Sequence, residues 1–168
     1  MDQRDLLIEG FDRLPQRVHS AVDGLTPESL RWRPAPDANS IGWLVWHLAR
    51  IQDDHVAELL GAEQEWTSGA WAAHFGLPTE AMDTGYGHDA VDVARVQPTG
   101  PDVLVAYYES VADRTRKLLD TVTAEGLDGI VDKRWDPPVT LGVRLVSVLA
   151  DDLQHVGQAA YIRGLLPS

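Results

Sequence analysis

Three observations in the sequence predict an all-α fold, namely a four-helix bundle with a long crossover that contains short helices. Four long segments place apolar residues at the spacing of one helix face. Residues that cap or break helices stand at the ends of these segments. No segment convincingly shows the pattern of a strand. We therefore expect one helical domain over residues 1–168, a length sufficient to bury a core.

The first predicted helix covers residues 3–22, where Leu7 and Phe11 belong to the apolar face. Pro15 lies inside this segment and has no backbone N–H, so we expect a kink or an interruption there. After this helix, Thr26 begins one short capped turn.

The second predicted helix begins at a cap provided by Asn39 or Ser40 and runs to about Leu60. Gly61 ends it, because glycine readily takes the left-handed conformation that closes a helix. Its apolar stripe consists of Ile41, Leu44, Leu48, Ile51 and Leu59.

A long connection, residues 62–98, separates the second predicted helix from the third. A structureless loop of this length is uncommon inside a domain. We therefore expect short helices in it, around residues 66–75 and 89–96, folded across one end of the bundle.

The last two long helices complete the predicted bundle. The third covers residues 99–123, with Thr99 as its N-cap. The fourth runs from Thr140 to about Arg163 and ends at Gly164.

The composition excludes several classes of partner. The chain has 26 acidic and 14 basic residues and a net charge of −12, which disfavours nucleic acid and anionic lipid. It has no cysteine, so any metal must be held by imidazole and oxygen ligands. No stretch approaches the roughly 20 apolar residues of a membrane span, and no signal peptide is evident. We expect a soluble, cytoplasmic protein that acts on a small molecule.

The fourth helix carries the outline of a metal site. Asp151 and His155 are four residues apart and share one helix face, so both can reach one ion. A third ligand must come from a neighbouring helix. On the second helix, His55 lies within the apolar stripe and His47 lies on its flank, so the helical wheel leaves both residues open as the third ligand.

A second carboxylate, Asp152, lies near the centre of the apolar face of the fourth helix. A carboxylate there is costly unless it is paired or bound to a cation. The alternative to a metal site is therefore that Asp151 or Asp152 pairs with an arginine such as Arg144 or Arg163.

Aromatic residues and glycines offer weaker signals. Most of the six tryptophans are interpreted as packing anchors, while Trp66 and Trp71 in the crossover are candidates for the wall of a ligand pocket. Trp135 is assigned to either a site mouth or an interface. We interpret the glycine-containing residues 83–89 as a turn, and we regard His88 as a surface or locally hydrogen-bonded residue.

Three segments carry a resemblance to a known family: residues 31–55, residues 83–89 and residues 151–166. They resemble the DinB-like superfamily of bacterial four-helix bundles, which includes mycothiol-dependent maleylpyruvate isomerase and the bacillithiol and mycothiol transferases. Many members carry His-x-x-x-His followed by x-Gly-Gln, and His155 to Gln158 match the second half of this motif.

The resemblance implies a set of ligands. It assigns His47 and His155 to a divalent metal ion, and it places Asp151 where many members have histidine and the isomerase branch has glutamate. Zinc is the first expectation, with nickel, manganese and iron as alternatives. Gln158 joins Trp66 and Trp71 as a candidate cofactor-binding residue. The family also implies a homodimer.

Two imidazoles and one carboxylate leave a divalent ion an open coordination position, which is typical of catalytic sites. Because the chain has no cysteine, a reacting thiol must arrive as a low-molecular-weight cofactor such as mycothiol. We expect a thiol-dependent S-transferase or isomerase acting on a small electrophile. A metal-dependent hydrolase and a non-catalytic metal- or ligand-binding bundle are the alternatives. Asp54 is the candidate general base, or else it orients His47.

Overall fold

The computed structural model describes residues 1–167 and confirms the predicted all-α bundle. The first predicted helix is divided into α1 (Gln3–Asp12) and α2 (Leu14–Val22). The other bundle helices are α4 (Ile41–Leu60), α8 (Pro101–Leu119) and α9 (Leu141–Gly164). Both α2 and α4 pack against α8 and against α9, so the core lies between these four helices.

The break in the first helix lies where Pro15 predicts it. Arg13 ends α1, with its N–H bonded to the carbonyl of Phe11, and it also precedes α2. Because Pro15 lacks an N–H and its ring opposes the carbonyl four residues earlier, a continuous helix is disfavoured here. The short turn that follows is α3 (Pro27–Arg31), capped by the Thr26 hydroxyl.

The second long helix has the expected ends. The Ser40 side chain accepts the Trp43 N–H at 3.1 Å, and Gly61 closes the helix at φ 59°. A side-chain cap and a left-handed glycine satisfy backbone groups that a helix terminus leaves unpaired.

The crossover contains short helices, as expected. They are α5 (Glu65–Ser68), α6 (Trp71–His74) and α7 (Ala90–Arg95). The first predicted segment is therefore two helices, separated at residues 69–70.

The third long helix is shorter than predicted at both ends. It begins at Pro101, after Gly100, because Thr99 donates its N–H to the carbonyl of His74 and so belongs to the crossover. It ends at Leu119, where the hydroxyl of Thr121 donates a hydrogen bond to the carbonyl of Leu118. A 3₁₀ turn follows at Glu125–Asp128.

The expectation that no strand occurs is wrong. A short antiparallel hairpin, β1 (Ile130–Asp132) and β2 (Val139–Thr140), precedes α9. Its strands of three and two residues are too short to show an alternating pattern. Side-chain bonds hold it instead, since Asp132 accepts from Arg134 and Arg144, each at 2.9 Å.

The last helix begins at Leu141, one residue after the expected start, with Thr140 as its cap, and continues through Gly164, one residue beyond the expected end. It runs antiparallel to α4, which sets residues of the two helices opposite one another along a common seam. Within residues 1–167, each helix is too short or too polar to span a bilayer.

Candidate metal site

The seam between α4 and α9 brings three candidate ligands together. One ligand atom from each of His47, Asp151 and His155 lies within 4.8 Å of the other two. His47 is buried, and the other two are partly exposed. Of the two histidines that the helical wheel left open, His47 is the one that lies close enough to Asp151 and His155 to complete a group of three ligands.

Hydrogen bonds fix the tautomer of both histidines. His47 Nδ1 lies 2.5 Å from the backbone carbonyl of Thr84, and His155 Nδ1 lies 2.8 Å from the side-chain oxygen of Gln158. Both partners are acceptors, so each Nδ1 carries the hydrogen. In the neutral form of each ring the lone pair is therefore left on Nε2, which is the arrangement that metal-binding histidines use.

Asp151 shows that the cluster fits a cation. Its Oδ1 lies 3.4 Å from Nε2 of His155, and its Oδ2 is buried without a hydrogen-bond partner among the described residues. A buried unpaired carboxylate oxygen is costly, and a lone pair facing a carboxylate is repulsive unless a cation lies between them. Two imidazoles and one carboxylate suit zinc and other first-row divalent ions.

The pKa values of the two histidines are shifted in opposite directions. Burial lowers the pKa of His47, against the opposing effect of its bond to Thr84. Burial also disfavours the charged form of His155, but the bonds to Asp151 and Gln158 outweigh it and raise the pKa of His155. A proton on His155 thus stabilises the cluster in the way that a metal ion would.

The alternative pairing of the acidic residues with arginines is not found. Asp152 is 0 % exposed, and neither of its oxygens has a partner within residues 1–167. Burial, with the nearby charge of Asp151, raises the pKa of Asp152 well above its usual range. Arg144 pairs with Asp132 instead, and Arg163 donates to a backbone carbonyl of α2.

His55, the other histidine of the second helix, lies two turns further along α4. The guanidinium of Arg144 lies 3.2 Å from its Nε2. Burial and the charge of Arg144 lower the pKa of His55. His55 is therefore outside the triad and belongs to an adjoining cavity.

Asp54 also lies in that cavity, and it does not orient His47. Its Oδ1 accepts from the amide of Gln64 at 2.7 Å, and its Oδ2 lies 3.9 Å from Nδ1 of His55. The residue that orients His47 is Thr84, a backbone partner that helical spacing could not reveal.

Two cavities lie on either side of the triad along the seam. The first, of about 450 Å³, is lined by Ile51, Asp54, His55, Thr84, Tyr86, Asp132, Arg134, Trp135 and Arg144. The second, of about 480 Å³, is lined by Asn39, Leu44, Gln154, Gly157, Gln158, Tyr161 and Ile162. Each cavity therefore touches the residue that orients one histidine, Thr84 in the first and Gln158 in the second.

The candidate pocket tryptophans lie elsewhere. Trp66 is 1 % exposed and packs against Trp46, Phe75 and Tyr107 in the core. Trp71 lines a separate cavity beside the first turn of α8. Their contact with a cofactor stays a prediction, whereas Trp135 lies at the cavity beside the triad.

The turn at residues 83–89 contributes more to the site than its sequence indicates. Gly85 has φ +88°, and a Cβ there would lie 2.7 Å from Nδ1 of His47. His88 accepts from the indole N–H of Trp43 at 3.1 Å and donates to Asp83 at 2.9 Å. The ring of Trp43 in turn stacks on His47, with centroids 4.6 Å apart. Gly85 was the available signal that this segment approaches other atoms closely, whereas a Cβ at Gly87 would meet nothing within 4 Å.

A helical bundle with a three-residue cluster able to hold a divalent ion defines the class of this protein. The sequence matches the DinB superfamily over residues 10–159, and the chain belongs to that superfamily. Among solved structures it is similar to a conserved protein from Enterococcus faecalis, with 34% identity and a TM-score of 0.89 over 98% of this chain and 97% of that chain. No match was found among curated proteins.

Proposed function

We propose that this protein is a metal-dependent enzyme that transfers or rearranges groups with the help of a low-molecular-weight thiol. The observation that carries the proposal is the triad, in which the ligand atoms of His47, Asp151 and His155 lie within 4.8 Å of one another. Catalytic zinc sites typically supply three protein ligands and leave one position open, whereas structural sites use four.

The chemistry follows from the charges. His47, Asp151 and His155 would hold a divalent ion through two neutral imidazoles and one carboxylate, which would leave it a single net positive charge and an open position. Such an ion would favour the thiolate form of a thiol, whose proton would pass to a base of the protein. The chain has no cysteine, so the thiol is a separate reactant. Zinc is the proposed ion, with nickel, manganese and iron as alternatives.

The two cavities provide room for two reactants. Asp54, Arg134 and Arg144 give the first cavity charged groups, which suit a polar thiol such as mycothiol. Leu44, Tyr161 and Ile162 give the second cavity apolar walls, which suit the carbon skeleton of a small electrophile.

Asp54 is the proposed proton acceptor. It lines the first cavity with about a third of its side chain exposed. Asp132, the other carboxylate there, is occupied by Arg134 and Arg144 and cannot take a proton without breaking those bonds.

The test is turnover by zinc-loaded protein offered a panel of thiols, including mycothiol, bacillithiol and cysteine, with 1-chloro-2,4-dinitrobenzene as electrophile. We expect chloride release and thioether formation that require both thiol and metal and that disappear in His155→Ala. Turnover of an ester that persists after all thiols are removed would replace this proposal with a hydrolase. Metal binding without turnover of either kind of substrate would replace it with a binding bundle.

A further inference from the structure

Arg50 is a charged side chain in the middle of the core. It lies on α4 between His47 and Asp53, and its side chain is 0 % exposed. Burying a guanidinium is costly unless its donors are occupied. Its Nη1 lies 3.5 Å from Oδ2 of Asp53 and 3.4 Å from the hydroxyl of Tyr107. These long contacts leave the shorter bonds of Arg50 to be made elsewhere.

The shorter bonds go to the backbone of residues 81–85, which we call the docking loop. Arg50 Nη2 donates to the carbonyl of Ala81 at 2.8 Å, and Nε donates to the carbonyl of Asp83 at 3.2 Å. A planar guanidinium holds its donors at fixed angles, so two bonds from one side chain fix the orientation of this backbone.

The next carbonyl of the docking loop is the one that orients the metal ligand. Thr84 follows Asp83 directly, and its oxygen accepts the Nδ1 hydrogen of His47. His47 and Arg50 are three residues apart and share one face of α4. Gly85 then passes so close to His47 that a Cβ would lie 2.7 Å from Nδ1. The loop is therefore set against His47 by contacts on both sides of Thr84.

Asp53 holds Arg50 in place from the other side. Its carboxylate accepts the backbone N–H groups of Glu65 and Trp66 at 2.9 and 2.8 Å and the hydroxyl of Tyr107 at 2.9 Å. The guanidinium also lies over the ring of Trp66, 5.1 Å from its centroid. The network thus joins the start of the crossover to the docking loop through one side chain.

We propose that Arg50 is a positioning residue for the metal site. By donating hydrogen bonds to two carbonyls of the docking loop, it orients the Thr84 oxygen toward Nδ1 of His47. The Thr84 oxygen then holds the hydrogen of His47 on Nδ1 and leaves Nε2 to bind the ion. The proposal rests on the metal-dependent function proposed above. It assigns to Arg50 a role beyond stability, since partners that orient a ligand histidine contribute about 10- to 100-fold to metal affinity.

The direct test is Arg50→Lys, which keeps the charge but loses the planar fork. Two quantities are measured: zinc affinity by competition with a chelating dye, and the tautomer of each histidine in metal-free protein by long-range ¹H–¹⁵N NMR. We expect zinc affinity to fall by about 10- to 100-fold. We also expect His47 to become a mixture of tautomers, while the ¹⁵N pattern of His155, which Gln158 orients, stays as in wild type.

Two further variants separate positioning from folding. Gly85→Ala perturbs the docking loop without touching Arg50, because the new Cβ would meet Nδ1 of His47, and it should reproduce both effects. Thr115→Val removes the 2.6 Å bond to Gln52 in the core between α4 and α8, away from the loop. It should lower the melting temperature and leave His47 and zinc affinity unchanged.

The results separate this proposal from the proposed function. If Arg50→Lys folds with wild-type zinc affinity and a pure Nδ1–H tautomer at His47, the proposal is overturned and Arg50 is structural alone. If Arg50→Lys does not fold, Arg50→Gln, which keeps a side-chain N–H donor without the charge, decides by the same two readouts. If wild-type protein binds no zinc, the metal-dependent function fails, but the tautomer of His47 in metal-free Arg50→Lys still tests whether Arg50 positions that ring.

Discussion

Replacing Gln158 by leucine removes the acceptor that orients His155 while leaving all three proposed ligands in place. Gln158 is exposed, and its bond to Nδ1 of His155 is 2.8 Å. Without it the imidazole can exchange its hydrogen between Nδ1 and Nε2 and can rotate, so part of the population presents no lone pair to the ion.

The magnitude follows from this one contact. A neutral hydrogen bond contributes about 0.5 to 1.5 kcal/mol, and removal of a partner behind a metal ligand typically lowers affinity about 10- to 100-fold. That range corresponds to roughly 1.4 to 2.7 kcal/mol of binding free energy. Because Gln158 is exposed, the free energy of unfolding of the metal-free protein should change by less than about 0.5 kcal/mol.

The assay is a zinc titration against a competing chelator, with Gln154→Leu as the matched control. Gln154 is exposed on the same helix and lines the same cavity. Gln158→Glu adds a third point, since a carboxylate behind the imidazole makes it a stronger ligand and should hold affinity at or above the wild-type value. Equal zinc affinity in wild type and Gln158→Leu would refute the reasoning that this bond prepares His155.

Three further predictions concern charge and assembly. Hydrogen bonds, first those from Arg134, hold the pKa of Asp132 well below its usual range, so ionised Asp132 stabilises the fold above about pH 4 and this contribution is lost as pH falls below that value. In chemical denaturation, the difference in unfolding free energy between wild type and Asp132→Asn should therefore shrink between pH 5 and pH 2. An equal difference for Asp136→Asn would show that the effect is not specific to this carboxylate. Burial raises the pKa of Asp152, so the unfolding free energy of metal-free wild type should fall relative to that of Asp152→Asn as pH rises above about 4, by up to roughly 1.4 kcal/mol per pH unit. A difference in unfolding free energy between the two proteins that does not change with pH would contradict this. We expect a homodimer through the exposed apolar face of α9, which includes Leu153. Light scattering should give twice the chain mass for wild type and a lower mass for Leu153→Glu, whereas a monomeric wild type would exclude the dimer.

The sequence predicts the long helices because their signals are local. Ser40 and Gly61 mark both ends of α4, and Pro15 marks the break in the first helix. The hairpin before α9 was missed because side-chain bonds between Asp132 and two arginines hold it, and those bonds connect residues whose proximity no periodicity indicates.

The site was predictable only in part, for a similar reason. Asp151 and His155 are found from their spacing on one helix, but the wheel could not decide between His47 and His55 because both lie near the apolar face of α4. The antiparallel register of α9 makes that choice. The contact of Thr84 with His47 depends on a loop docked by Arg50, and the burial of one arginine leaves no pattern in the sequence.

The metal content of purified protein tests the central claim most directly. Wild type and single alanine variants of His47, Asp151 and His155 are loaded with zinc, freed of excess metal and measured by elemental analysis, with His55→Ala as the matched control. The triad predicts about one equivalent of metal in wild type and in His55→Ala, and a strong loss in each of the other three variants. A wild type that retains no zinc, nickel, manganese or iron, or variants of all three residues that retain a full equivalent, would contradict it.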